Sequence, residues 1–270
     1  YLVHGDYDSS QQTFYKNVKH LMPGHYIEYD FTSRTLSEPS AWWQPNIEEN
    51  SNISFEAATE GLREIFLKNV ALHLRSDVPI GAALSGGLDS SSIVCAIRYL
   101  EPEIPINTFS YIASDPKISE EKWVDEVNNY IKASPHKIFS SSQNLMEDLD
   151  EMILAQGEPF GGTSIYAQYQ VFRCARDHGV IVTLDGQGAD ELLAGYNGYP
   201  GKRLKSLIES RSYSKAIDFA IKWSTWPGRS YSYCLKQLVS EFADGEIYEL
   251  LRCFNGDEKS PNWDKQKNID

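Results

Sequence analysis

Two short stretches of this chain combine glycine, hydroxyl and acid in a way that suits phosphate and metal chemistry. They are "SGGLDSS" at 85–91 and "DGQGADE" at 185–191. In the first, Gly86 and Gly87 let the backbone approach a ligand closely, and the serines fall where the amides of a helix N-terminus point outward, which makes an anion site. A glycine–serine turn also serves as a plain turn. Asp89 argues for the ligand, because an acid beside a phosphate cradle repels the phosphate unless Mg²⁺ lies between them. The stretch is not a Walker loop, since GxxxxGK[ST] is absent and no lysine follows. In the second, Gly186 and Gly188 again permit close approach, and Asp185, Asp190 and Glu191 offer carboxylates to the other side of a metal. An N-capped turn with solvated acids is the plainer alternative for that loop.

The elements that must position these loops follow from the flanking patterns. "VPIGAAL" (78–84) is a continuous apolar run, the mark of a strand buried on both faces of a parallel sheet, and "VIVTLD" (180–185) reads as a second buried strand. Ser54 as N-cap, Glu56 in the first turn, and Phe55, Ala58, Leu62, Ile65 and Phe66 at helical spacing predict an amphipathic helix over 54–75. "SSIVCAIRYL" reads as a helix ended by Glu101–Pro102. A strand over 106–112, a helix over 119–133, a short strand over 136–140 and helices over 143–156 and 164–178 continue the alternation, with Gly179 closing the last helix. Beyond residue 200 the chain reads as helical. This order predicts an α/β fold: an open parallel sheet with helices on both faces, the loops at the carboxyl ends of strands where such sheets bind ligands. Ahead of it, "HYIEYD" (25–30), "FTSR" and "TLSEP" predict a small β-hairpin, and "WWQPNIEENSN" a linker that places a domain boundary near residue 50.

Composition bounds the function. The 270 residues, 41% of them hydrophobic, suffice for a sizeable core, and the net charge of −13 opposes an electrostatic grip on nucleic acid. No apolar run approaches the roughly 20 residues of a membrane helix. Cys95, Cys174, Cys234 and Cys253 are widely spaced without a CxxC, which predicts reduced thiols in a cytoplasmic protein. The start at Tyr1 and the polar finish "NWDKQKNID" predict a piece of something longer.

"SGGLDSS" resembles the pyrophosphate loop (PP-loop) of N-type ATP pyrophosphatases, and "GEPFGGTSIYAQYQVFRCARDHGVIVTLDGQGADELLAGY" (157–196) is similar to the synthetase domain of glutamine-hydrolysing asparagine synthetases. "TFYKNVKHLMPGHYIEYD" (13–30) resembles the end of that family's glutaminase domain. The resemblance implies an adenine nucleotide alpha-hydrolase-like domain at 50–270, incomplete at its C-terminus, and at 1–45 the tail of a glutaminase domain whose N-terminal cysteine the chain lacks. It implies that ATP adenylates a carboxylate, aspartate first among the acceptors, with release of pyrophosphate, and that ammonia from glutamine then displaces AMP. Carried over by position, Ser85, Gly86, Gly87, Asp89, Ser90 and Ser91 hold pyrophosphate and Mg²⁺, with Asp190 as the second metal-side acid. Leu84, Tyr111 and Asp185–Gly186 meet the adenosine, and Gln187 and Asp190 are the catalytic candidates. A homodimer is compatible with the resemblance. Gln187 stands where the compared synthetases have glutamate, and "GGTSIY" (161–166), the segment that handles aspartate in the family, lacks their arginine. A ligase closing rings or amidating sugars on the same scaffold, or a non-catalytic nucleotide-binding relative, are the alternatives.

Overall fold

A computed structural model describes residues 9–48, 52–226 and 228–242. It divides into one unit ending at Gly186 and a second beginning at Gln187, described separately below.

The first unit is built on a four-stranded parallel sheet. Its strands are β5 (Ile80–Ala83), β6 (Asn107–Ile112), β7 (Ser134–Phe139) and β8 (Val182–Leu184), in the order β7-β6-β5-β8. The register sets Ala82 against both Thr108 and Leu184. Side chains alternate along β5 and β6. Ala82, Leu84, Ile106 and Ile112 pack on one face with Val94 and Ile97 of α2 (Leu88–Leu100), Val124 and Ile131 of α3 (Glu121–Ile131), and Val70 of α1 (Phe55–His73). Phe109 and Tyr111 pack on the other with Val171 and Ala175 of α5 (Ser164–Asp177). α4 (Ser142–Gln156) precedes α5 and is closed by Gly157 in the left-handed conformation. Gly81 is required at the middle of β5: a Cβ there would sit 2.8 Å from the Phe109 ring and 2.9 Å from Val180. Thus helices cover both faces, and the chain switches direction of travel between β5 and β8, the position at which open sheets of this kind leave a crevice.

The predicted strands and helices are all present, with informative differences. The helix predicted from Ser91 begins at Leu88, so the glycine loop is shorter and runs straight into it. The strand predicted over 136–140 starts at Ser134 and includes Pro135, tolerated because β7 is an edge strand. α5 ends at His178, with Gly179 (φ +75°) the residue after it. β8 is not the buried strand expected: Val182 is 38% exposed and Ile181, just ahead of it, 68%, because the strand lies at the sheet edge and α5 packs over β6 and β7 instead. α1 forms with Ser54 accepting from the Ala57 amide as predicted, but its buried side runs through Phe66, Leu67 and Val70. Phe55, Leu62 and Ile65, read as the core stripe, are exposed.

Ahead of α1 the predicted hairpin exists as two short ladders, β2 (Tyr29–Asp30) with β3 (Thr35–Leu36) and β1 (His25–Tyr26) with β4 (Ser40–Ala41). Asp30 caps the turn through the amides of Thr32 and Ser33. No residue over 9–48 is buried, and Phe31, Trp42 and Ile47 are largely exposed. The proposed boundary at residue 50 lies among residues outside those described.

The second unit contains the short α6 (Ala189–Leu193) and three longer helices, α7 (Tyr199–Glu209), α8 (Tyr213–Ser224) and α9 (Tyr231–Phe242). The three pack around Trp223, 1% exposed, with Leu204, Leu207, Ala216 and Cys234. Cys95, Cys174 and Cys234 lie in α2, α5 and α9 as free thiols whose pKa burial pushes up, and Cys253 lies outside the described residues. No helix among the described residues is long and apolar enough to cross a membrane.

Candidate functional site

The segment joining β5 to α2 is held by its own side chains. Leu84 extends the sheet pairing by one residue, its amide donating to the Phe109 carbonyl (2.9 Å), and its side chain is wholly buried. Leu84 therefore offers a ligand its backbone alone. The Ser85 amide donates to Ser90 Oγ (3.2 Å), the Ser85 and Ser90 hydroxyls lie 3.0 Å apart, and the Gly87 amide donates to Ser85 Oγ (3.2 Å). Ser85 and Ser90 thus staple the turn to the first turn of α2. Gly86 takes φ +88°, and a Cβ there would meet the Glu120 carbonyl at 3.1 Å and Trp123 at 3.2 Å, so the start of α3 fits only against a glycine.

Gly87 is the N-cap of α2 and has no side chain to offer the helix's first amides. A 13-residue helix therefore begins without a side-chain cap, with Asp89 in its first turn. Ser91 has its Oγ buried without a partner among the described residues. Small residues, an uncapped helix start and one acid meet at the carboxyl end of the central strand.

The second loop begins beside the first. β8 pairs with β5, so the chain leaves both strands at the same end of the sheet. A Cβ on Gly186 would lie 3.0 Å from Asp89 Cβ and 3.0 Å from the Ser90 amide nitrogen, so Asp185–Gly186 abuts the first turn of α2. Tyr111 lies one strand over, half-buried on β6 opposite Ile138. The structure thus brings Ser85, Gly86, Gly87, Asp89, Ser90, Ser91, Asp185 and Gly186 to one strand-end crevice.

Gln187 and Asp190 belong to the second unit. There Gly188 (φ +90°) precedes α6, and Gly195 donates its amide to the Asp190 carbonyl (2.9 Å). The Asp190 carboxylate lies over Gly195, where a Cβ would overlap it. Glu191 accepts from the Tyr196 hydroxyl (2.7 Å), which pushes the tyrosine pKa up. Among the described residues no three His, Cys, Asp or Glu side chains cluster as a metal cage.

A polar cluster that the sequence reading missed stands between α4 and α5. Arg173 grips Asp148 through both guanidinium nitrogens (2.6 and 2.9 Å), and the Tyr166 hydroxyl donates to the same carboxylate (2.7 Å). Tyr166, Gln170 and Arg173 share one face of α5 at helical spacing, a signal present in the sequence. Asp148, on another helix, carries none.

The asparagine synthase family model matches residues 61–266. A putative glutamine-hydrolysing asparagine synthetase of Methanocaldococcus jannaschii is 31% identical over 204 residues, 70% of this chain and 37% of the relative. Asparagine synthetase 1 of Bacillus subtilis is 33% identical over 138 residues, 51% of this chain and 21% of the relative. An amidase of Penicillium rubens is 24% identical over 206 residues, 70% of this chain and 30% of the relative. The chain spans well under half the length of each of these proteins. With a parallel α/β sheet, a serine–glycine loop at its central strand and a family match over most of its length, the chain belongs to the asparagine synthase family.

Proposed function

We propose that the chain carries the ATP-using part of a carbon–nitrogen ligase that makes an amide from a carboxylate, with aspartate as the first acceptor to test. A carboxylate is a poor electrophile because its charge repels nucleophiles. Its oxygen attacks the α-phosphorus of ATP, the bond to the bridging oxygen breaks, and pyrophosphate leaves with an acyl-adenylate behind it. Ammonia then adds to the acyl carbon and AMP departs. In a glutamine-dependent enzyme the ammonia comes from a glutaminase domain, and residues 1–45 are proposed as the end of one, with 50–270 as the synthetase part. The exposure of Phe31, Trp42 and Ile47 on a hairpin with no core of its own supports a covering partner.

The observation that carries the proposal is the uncapped start of α2 behind a turn that Ser85 and Ser90 staple in place. Backbone amides held in advance toward a leaving pyrophosphate cost no reorganisation when charge develops. Asp89 is the proposed Mg²⁺ ligand at this loop, and Asp190 is retained as the second acid that the resemblance implies. The ion, when bound, offsets the phosphate charge that would otherwise oppose the carboxylate's approach. Asp185–Gly186, packed against the first turn of α2, is the proposed adenosine contact, with the backbone of Leu84 and Tyr111 as further contacts.

A second reading, a ligase acting on a sugar, peptide or other carboxylate, is favoured by one feature: "GGTSIY" holds no cation for a second acceptor carboxylate. The test is pyrophosphate release in the full-length protein with aspartate and with other carboxylates. Release that depends on aspartate is expected. Release with another acceptor alone moves the assignment to the second reading, and release with none removes both.

A further inference from the structure

α4 and α5 run side by side without filling the space between them. A cleft of ≈ 380 Å³ separates them, lined by Glu151, Met152 and Ala155 on one side and by Tyr169, Phe172 and Arg173 on the other. Apolar contact therefore fixes the angle between these helices weakly, and Met152 is the single buried residue of α4. Charged hydrogen bonds replace it. Asp148 accepts from Arg173 at both oxygens, from Tyr166 and from Gln170, so its carboxylate is saturated with donors. Gln170 in turn accepts from Arg173 (2.8 Å). Tyr166 (4% exposed) and Gln170 (6%) are buried, and the Asp148 and Arg173 side chains are mostly so.

This cluster is anchored to the sheet at one point. Ser140, the first residue after β7, donates to the Tyr166 hydroxyl (3.2 Å) while that hydroxyl donates to Asp148. Tyr166 is also the last residue of the segment 161–166. Over 161–164 that segment is exposed, and Thr163 gives α5 no side-chain cap. Its free end thus faces solvent near the carboxyl end of β7 while its last residue is buried in the cluster.

We propose that Asp148 is a positioning residue for the acceptor: by holding Tyr166 against Ser140 it fixes the segment 161–166 relative to the carboxyl end of the sheet. This role rests on the amide-synthesis reading above and adds to it the residue that aims the acceptor segment. Arg173 beside Asp148 holds its carboxyl below the usual carboxylate range, so the clamp stays ionised and paired at neutral pH.

The experiment compares Asp148→Asn and the milder Tyr166→Phe with wild type in the full-length protein. For Asp148→Asn, kcat/KM for the acceptor carboxylate in pyrophosphate release falls roughly 10- to 100-fold while KM for ATP stays within about twofold. Tyr166→Phe moves the same way by less. Amide hydrogens over 161–166 exchange faster in both variants, and those over 85–91 keep the wild-type rate. Equal losses toward ATP and acceptor, or unchanged exchange over 161–166, overturn the clamp. If wild type releases no pyrophosphate with any carboxylate, the amide-synthesis reading fails, and the exchange result alone decides whether Asp148 holds the segment. Should Asp148→Asn not fold, Tyr166→Phe decides by the same readouts.

Discussion

The two ends of one sheet treat their polar groups in opposite ways. At the amino end, Arg98 of α2 donates to the carbonyls of Ile131 (2.7 Å), Pro102 (2.5 Å), Ile104 (2.9 Å) and Glu101 (3.4 Å), tying together the finish of α2, the finish of α3 and the approach to β6. Nearby His136 stacks on Phe109 at 4.8 Å and meets His178 at 4.0 Å, its Nε2 3.0 Å from Asn107 Oδ1. These groups bond one another, although Asn128 Nδ2, beside Thr108, is buried without a partner among the described residues. At the carboxyl end, α2 starts without a side-chain cap and the Ser91 hydroxyl is without a partner among the described residues. What sets the start of α2 apart is not the missing cap, which α3 and α5 share, but the stapled glycine–serine turn and Asp89 beside it. These features support the carboxyl end as the proposed ligand-binding end of the sheet.

Removing the amino-end tie should do the most damage to stability and the least to ligand binding. Arg98→Ala strands four carbonyls that now accept from a cation, and a loss of about 3 kcal/mol is expected. Urea unfolding measures it, and nucleotide affinity of the folded fraction should be unchanged. Gly86→Ala cuts both ways. It forces a side chain into φ +88° and against Glu120 and Trp123, costing about 2 kcal/mol, and it also shifts the stapled turn, so ATP binding weakens together with stability. Weakened nucleotide binding in folded Arg98→Ala, or unchanged binding in Gly86→Ala, would break the division between the two ends.

Asp89→Asn should leave stability nearly untouched and weaken Mg²⁺-dependent ATP binding roughly tenfold, about 1.4 kcal/mol. Titration calorimetry with and without Mg²⁺ checks it. A loss that is the same without the ion would make Asp89 a helix-dipole partner instead.

A smaller effect is expected from pH at the closed end. Burial, and then the neighbouring His178, lower the pKa of His136 below its ordinary 6.5. Above about pH 6.5 the imidazole is neutral in folded and unfolded chain alike and contributes no pH dependence. As pH falls below that value the unfolded chain takes up a proton first, so stability declines until the folded pKa is passed. The urea midpoint of wild type should therefore fall between pH 7 and 5 by more than that of His136→Gln. Parallel curves would remove His136 as the cause.

What the sequence disclosed and what it hid follow from the range of the interactions. The strand before the glycine loop and the Ser54 cap depend on neighbours in the chain, and they stand within a residue or two of where the patterns put them. The buried stripe of α1 does not, because Phe55, Leu62 and Ile65 compete with Phe66, Leu67 and Val70 for one core, and only the position of α2 decides between them. β8 reads as buried from its composition, yet an edge position is a property of the sheet and not of the strand. The Asp148–Arg173 pair joins residues 25 apart on different helices, and nothing local marks Asp148.

Gln187 should show the smallest effect of all. An amide does not titrate, so it takes no proton from ammonia, and a glutamate there as general base would be worth ~10²- to 10⁴-fold. If the reaction needed that base, Gln187→Glu would raise amide formation by such a factor. The surrounding loop argues against the need. Gly188 takes a left-handed turn, Asp190 lies over Gly195, and Glu191 holds Tyr196, so the loop after Gln187 has contacts of its own. Under the proposed function, Gln187 orients an intermediate through its amide donors and acceptor, and proton removal falls to another group or to water. Gln187→Glu is therefore expected to change acceptor-dependent pyrophosphate release by less than about threefold, since adenylation precedes the arrival of ammonia, and to change amide formation by a similarly small factor. Measuring the two steps separately in the full-length protein decides the matter: a gain of 100-fold in amide formation with adenylation unchanged would make position 187 the proton acceptor of the ammonia step.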